Sequence, residues 1–112
     1  MTKYLIRATY TAEGIRGLIR SGGTNRKQAI EKMVSDLGGK LETYYYAFGD
    51  HDVYAICSLP NVATAAAIAL AINSSGLVTI TTTVLVEPKE IDKVKEISVK
   101  YILPGSEIKA KK

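Results

Sequence analysis

One histidine, one arginine set among apolar neighbours and a cluster of phenols are the residues of this chain whose chemistry could go beyond packing. His51 is the only histidine and stands between Asp50 and Asp52. An imidazole flanked by carboxylates can act as a general base or bind a metal. Three adjacent turn residues rarely converge on one ion, however, and no Glu-x-x-His or His-x-His spacing supplies further ligands. No metal site and no cofactor are therefore expected. His51 is kept as the catalytic candidate, against the plainer reading of a tight hairpin whose aspartates bond local backbone N–H groups.

Tyr44, Tyr45 and Tyr46 are consecutive, and Arg7 and Tyr54 lie in other strand-like runs. Phenols beside a guanidinium can bind a planar or anionic small molecule. The competing reading is packing, since aromatic residues suit a pleated surface. Arg7, Thr9, Tyr44, Tyr46, Tyr54 and Thr81 form the candidate ligand-binding set. Gly22-Gly23-Thr24-Asn25-Arg26-Lys27 could hold an anion at a helix start. It lacks the Gly-x-x-x-x-Gly-Lys-Ser/Thr layout, and no apolar strand leads directly into it, so a simple helix break is preferred. Cys57 sits among Ala55, Ile56 and Leu59 with no adjacent histidine or cation, which reads as an inert core thiol. As the only cysteine it excludes an intramolecular disulfide, a cysteine zinc site and a paired redox motif. That favours a reducing compartment, and a cytoplasmic location is expected. Met1-Thr2-Lys3-Tyr4 enters an alternating pattern at once, without the basic-then-apolar layout of a signal peptide.

The elements that must position these groups follow from periodicity. Residues 3–11 alternate with period two and read as a strand. Thr11 is a plausible N-cap, with Glu13 in the first turn, where the helix dipole favours an acid. Apolar residues at helical spacing give two helical pieces, about 12–20 and 25–37, interrupted at Gly22-Gly23 and closed at Gly38-Gly39 by a left-handed cap. Residues 40–48 form the second strand, 49–52 a turn and 53–59 the third strand. Pro60-Asn61 starts a helix over 62–73, residues 77–86 form a Thr/Val strand, and a charged helix runs from 88 to about 100. The order β-α-β-β-α-β predicts an α+β ferredoxin-like sandwich with a four-stranded antiparallel sheet and an extra C-terminal helix. A single domain over 1–103 and a basic tail over 104–112, holding Lys109, Lys111 and Lys112, complete the organisation.

Residues 53–86 contain no charge at all. The helix within them holds about a dozen residues, fewer than the roughly 20 that span hydrocarbon, so no membrane partner is expected. It shows no polar face, which favours burial against a second copy over a merely small and neutral surface. Parity places Ile6, Ala8, Val53, Ala55, Cys57, Ile80 and Val84 towards the helices. The uncovered face would carry Arg7, Thr9, Tyr44, Tyr46, Tyr54, Thr79, Thr81 and Thr83, with apolar Leu5, Phe48, Ile56 and Leu85 among them. So many apolar residues on an open sheet invite a second sheet, and a homo-oligomer formed through that face is expected. The net charge of +4 could attract nucleic acid, but no RNP, KH or zinc-finger pattern accompanies it, and nucleic acid is not expected as a partner.

Several segments occur together in a familiar order: Tyr4-Leu5-Ile6, Thr11-Ala12-Glu13-Gly14-Ile15-Arg16-Gly17-Leu18, Leu37-Gly38-Gly39-Lys40-Leu41-Glu42, Tyr46-Ala47-Phe48-Gly49-Asp50 and the alanine-rich helix. Over about residues 3–90 the chain resembles the small bacterial and archaeal GYD domain proteins. The resemblance implies a ferredoxin-like fold related to dimeric α+β barrels. The motif that names the family falls at Gly49-Asp50-His51-Asp52, with His51 in place of its tyrosine, so a role needing a phenol there does not carry over. The resulting expectation is a homo-oligomer binding a small molecule in a pocket at the open sheet face. The alternatives are a cofactor-free α+β-barrel enzyme, monooxygenase- or isomerase-like, and a ligand-free interaction module. Whether the chain is an enzyme is left open at this stage.

Overall fold

Alternation and helix punctuation become seven elements in the body of the chain. The structure, a computed structural model, describes residues 1–107. They are β1 (Thr2–Tyr10), α1 (Ala12–Ser21), α2 (Gly23–Asp36), β2 (Lys40–Tyr46), β3 (Val53–Leu59), α3 (Val62–Asn73) and β4 (Val78–Leu85). The strands make one sheet in the order β2-β3-β1-β4, every neighbouring pair antiparallel. Each helical connection thus joins two parallel strands that have an antiparallel strand between them. The architecture is α+β, with an open four-stranded antiparallel sheet.

The helix ends follow local chemistry. The Thr11 hydroxyl accepts from the Gly14 N–H at 3.2 Å, and Asn61 Oδ1 accepts from the Thr64 N–H at 2.8 Å, each satisfying a first-turn donor. After α2 the chain turns at Gly38, where φ is 82°. Gly39 then donates to the Val34 carbonyl at 2.9 Å. A Cβ on Gly39 would stand 2.6 Å from the Ser58 carbonyl oxygen, so only glycine lets β2 begin this close to β3.

α2 packs over β2, and α3 over β4 and β3, on one side of the sheet. Tyr4, Val34 and Leu59 are the most deeply buried large residues. Ile6, Ala8, Val53, Ala55, Cys57 and Ile80 turn towards the helices, as the alternation predicts. Val84 shares that side but lies beyond the packed part of β4 and stays 55% exposed.

Three expectations need correction. First, Tyr44 and Tyr46 do not lie on the open face. An irregularity between Leu41 and Thr43 inserts Glu42 as an extra residue, so Tyr44 pairs with Ala55, Tyr46 with Val53, and Tyr45 takes the outward place opposite Tyr54. A bulge of one residue reverses the facing of everything after it. Second, β2 stops at Tyr46, and Phe48 belongs to the following turn, fully exposed, rather than to the open face. Third, the terminal helix is short. α4 covers Pro88–Asp92, a 3-10 turn covers Lys93–Glu96, and Ile97 is already extended. Ile91, Val94, Ile97 and Val99 are all exposed, and a short helix with nothing to pack against is marginal. Lys109, Lys111 and Lys112 lie outside the described residues. Among the described residues no helix is long and apolar enough to cross a membrane.

Candidate functional site

The uncovered face is ruled by cross-strand rows. Tyr45, Tyr54, Arg7 and Thr81 stand in one row across β2, β3, β1 and β4. The next row is Thr43, Ile56, Leu5 and Thr83. Arg7 is half-buried at the middle of this surface, and its Nη2 donates to Thr83 Oγ1 over a long 3.5 Å. Its Nε is shut off from solvent and has no hydrogen-bond partner among the described residues. A guanidinium donor in that state is costly unless something else accepts from it. The nearby carboxylate of Glu42 is engaged by other groups. It accepts from the Ser58 hydroxyl at 3.4 Å and sits 3.8 Å from Lys3 Nζ.

His51 joins this face at its upper edge. Its Nδ1 lies 3.1 Å from Thr9 Oγ1, and its ring meets Tyr54 edge to face, 5.8 Å between centroids. The imidazole is half-buried, neither enclosed in a cavity nor free at a hairpin tip. The flanking aspartates differ in role. Asp52 Oδ2 accepts from the Tyr10 N–H at 2.8 Å, and the Asp52 backbone bonds both Ala8 and Ala47, so Asp52 ties the turn to β1. Asp50 is exposed. Among the described residues no group of three or more potential ligands converges on a metal position. Arg7, Thr9, Tyr54, Thr81 and His51 are therefore brought together, whereas Tyr44 and Tyr46 are carried to the opposite side.

On that opposite side the two phenols meet a different environment. Between α2 and α3, above the sheet, lies an inner cavity of about 80 Å³ with an almost wholly apolar lining, including Ile30, Met33, Ile68 and Ile72. Its polar groups come from Tyr10, Arg26, Tyr44 and Cys57. Tyr44 and Tyr46 pack edge to face with centroids 5.3 Å apart, and Tyr46 donates to the Gly23 carbonyl at 2.9 Å. Burial first, then the neighbouring Tyr46 and Tyr10 phenols, hold the Tyr44 hydroxyl protonated far above the usual phenol range. Burial likewise pushes the Cys57 thiol up to about 11. A protonated, buried thiol is a poor nucleophile, in keeping with a core role.

The cavity was missed from sequence. Its one legible signal was Arg26 in the glycine-rich segment, read as a possible anion position. Lys27 is exposed, whereas Arg26 turns back into the cavity wall. The other walls are ordinary helix and strand residues whose spacing says core and nothing more.

An open antiparallel sheet with helices on one side and a row of polar groups on the other defines a small α+β domain. The chain belongs to the GYD domain family, whose profile matches residues 4–94 and so takes in β1 from Tyr4 onward, the other three strands and α1 to α3. No curated protein and no solved structure matches the chain.

Proposed function

We propose that this GYD domain protein is a ferredoxin-like module that assembles with copies of itself through the open sheet face and binds a planar or anionic small molecule there. The observation that carries the proposal is Arg7. A half-buried guanidinium whose Nε is unsolvated and, among the described residues, unpartnered stands at the centre of the face, beside Tyr54 and Thr81, with no carboxylate among those residues engaging it. An acceptor from outside the chain would satisfy it, and a covering surface would turn a flat row into a pocket. The outward side of α3 supports assembly too. Val62, Ala63, Ala66, Ala67, Leu70 and Ala71 are exposed with no charge among them, and Leu70 is 71% exposed. The lone, protonated Cys57 suits a reducing compartment, and the cytoplasm is the proposed location.

A cofactor-free enzyme is the second reading, favoured by one observation. The imidazole of His51 contacts Thr9 and Tyr54 on the same face as Arg7, so an acid–base group and an anion anchor share one surface. A ligand-free interaction module would instead leave a dry, filled interface over Arg7.

Light scattering at micromolar protein tests the assembly. The expected mass is at least twice 12.1 kDa. A monomer at every concentration overturns it. If the oligomer forms, Arg7→Met removes the binding of small carboxylates measured by calorimetry while the mass stays unchanged. Carboxylate binding that survives Arg7→Met overturns the ligand assignment.

A further inference from the structure

The inner cavity is not closed. Tyr10, Arg26, Met33, Ile72 and Val78 line it and also line a wider groove of about 500 Å³ among α1, α2 and α3. Inner space and outer groove thus adjoin across these five residues as a two-part cleft, the inner part narrow and apolar, the outer part broader and holding the charged side chains. The inner end is far larger than the roughly 10–15 Å³ that one water requires, yet its lining offers water few partners. Ile30, Met33, Ile72 and Val78 are core residues left only partly buried along it. An apolar group entering there would bury surface that the fold itself leaves uncovered.

The polar groups point to the rest of the ligand. In the inner end Tyr10, Tyr44, Cys57 and Arg26 all carry hydrogens to donate, and Tyr44 and Cys57 are held protonated by burial. The outer groove adds Arg20 and one acid, Glu13. Arg20, Arg26 and Glu13 have no ion-pair partner among the described residues. The charged side chains of the cleft therefore sum to one positive charge. We propose that it binds an amphiphilic monoanion, a short hydrocarbon chain ending in a carboxylate, with the chain in the inner end and the carboxylate at Arg26. This site lies on the other side of the sheet from Arg7 and stands or falls separately from the open-face reading.

The chain has two methionines, and only Met33 lines the cleft. The full-length protein with methyl-13C methionine is titrated with sodium octanoate and, separately, with 1-octanol as the uncharged match. The Met33 methyl resonance is expected to shift saturably with octanoate, with an affinity at least tenfold above that for octanol, while Met1 stays still. Arg26→Gln is expected to reduce octanoate to the octanol level. Lys27→Gln, which removes the same charge one residue along and outside the cleft, leaves it unchanged. Ala65→Leu fills the inner end and is expected to abolish both titrations. Should that variant fail to fold, Gly17→Leu blocks the outer groove instead, since a Cβ there meets only Arg20 Nη2 at 3.8 Å. A Met33 signal that does not saturate, or that moves on dilution rather than with octanoate because a second copy fills the cleft, overturns the proposal. So does octanoate binding that Arg26→Gln leaves intact.

Discussion

The two faces of one sheet hold their polar groups in opposite ways. On the helix side the hydroxyls of Tyr10 and Tyr44 and the guanidinium of Arg26 sit at the margin of an apolar cleft that already has walls. On the open side Arg7, Tyr54 and Thr81 run in a row across a surface that no helix among the described residues covers. Walls on the first side come from two helices that pack over different strands and leave a space between them. The second side must borrow its walls. A ligand on the helix side would meet walls already present in a monomer, whereas one on the open side would be enclosed only if a second body covered it. Burial on the first is a property of the fold, and burial on the second would depend on concentration if copies assemble through it.

The largest expected effect tests that distinction directly. Leu59 is buried on the helix side, while Leu5 is half-buried on the open side. Leu59→Ala is expected to cost about 2–5 kcal/mol by urea unfolding. Leu5→Ala should cost about 1 kcal/mol or less if the face is bare. An equal cost that shrinks on dilution would mean that the open face is covered by a partner.

A second contrast comes from pH. The Cys57 thiol rises from an ordinary 9.0 to about 11 on folding, so the unfolded chain ionises first. The stability linked to Cys57 is complete below about pH 9 and is lost as the pH climbs towards 11, by on the order of 2 kcal/mol. Cys57→Ala should flatten the fall in the urea midpoint over that window. An unchanged slope would place the thiol in contact with solvent and contradict a packed helix side at β3.

Arg7 gives a smaller effect whose sign carries the information. On a bare face, replacing a guanidinium that has an unsatisfied Nε by an apolar side chain of similar length is neutral or favourable. Arg7→Met should then change stability by no more than about 1 kcal/mol, towards greater stability. If a partner's carboxylate or a bound molecule engages Arg7, the same substitution costs about 3 kcal/mol or more at concentrations that populate the complex.

Legibility from sequence divides along the same lines. Alternation placed β1, β3 and β4 correctly because nothing interrupts their pairing, and Arg7, Thr9, Tyr54 and Thr81 were gathered on one face for that reason. Thr11, Asn61 and Gly38 announced their caps, since each supplies a side-chain acceptor or a positive φ that few other residues can. In β2 the same counting failed. Glu42 adds one residue without a glycine or proline to mark it, and Tyr44 and Tyr46 crossed to the helix side. The terminal helix failed for a different reason. Its charge pattern suited a helix, but a helix needs a surface to lie on, and whether one exists is decided by the whole fold. The cleft was invisible because it is a gap, made by where α2 and α3 settle rather than by any residue type.

The smallest expected effect concerns His51, the residue that looks most like a catalyst. The turn from Ala47 to Asp52 is closed by the Ala47 N–H to the Asp52 carbonyl at 2.9 Å. It is fastened to β1 by the Asp52 N–H to Ala8 at 2.8 Å and by the Tyr10 N–H to Asp52 Oδ2 at 2.8 Å. None of these bonds uses the imidazole. His51→Tyr loses the contact with Thr9, keeps an aromatic ring against Tyr54, and should change stability by less than about 1 kcal/mol with the assembly intact. Asp52→Ala strips the acceptor from a half-buried N–H and should cost about 1–3 kcal/mol, which sets the scale for the comparison. Should His51→Tyr prove the costlier of the two by urea unfolding, the imidazole must be bonded to something beyond its own chain. The upper edge of the open face would then be the part of the sheet that a second body covers first.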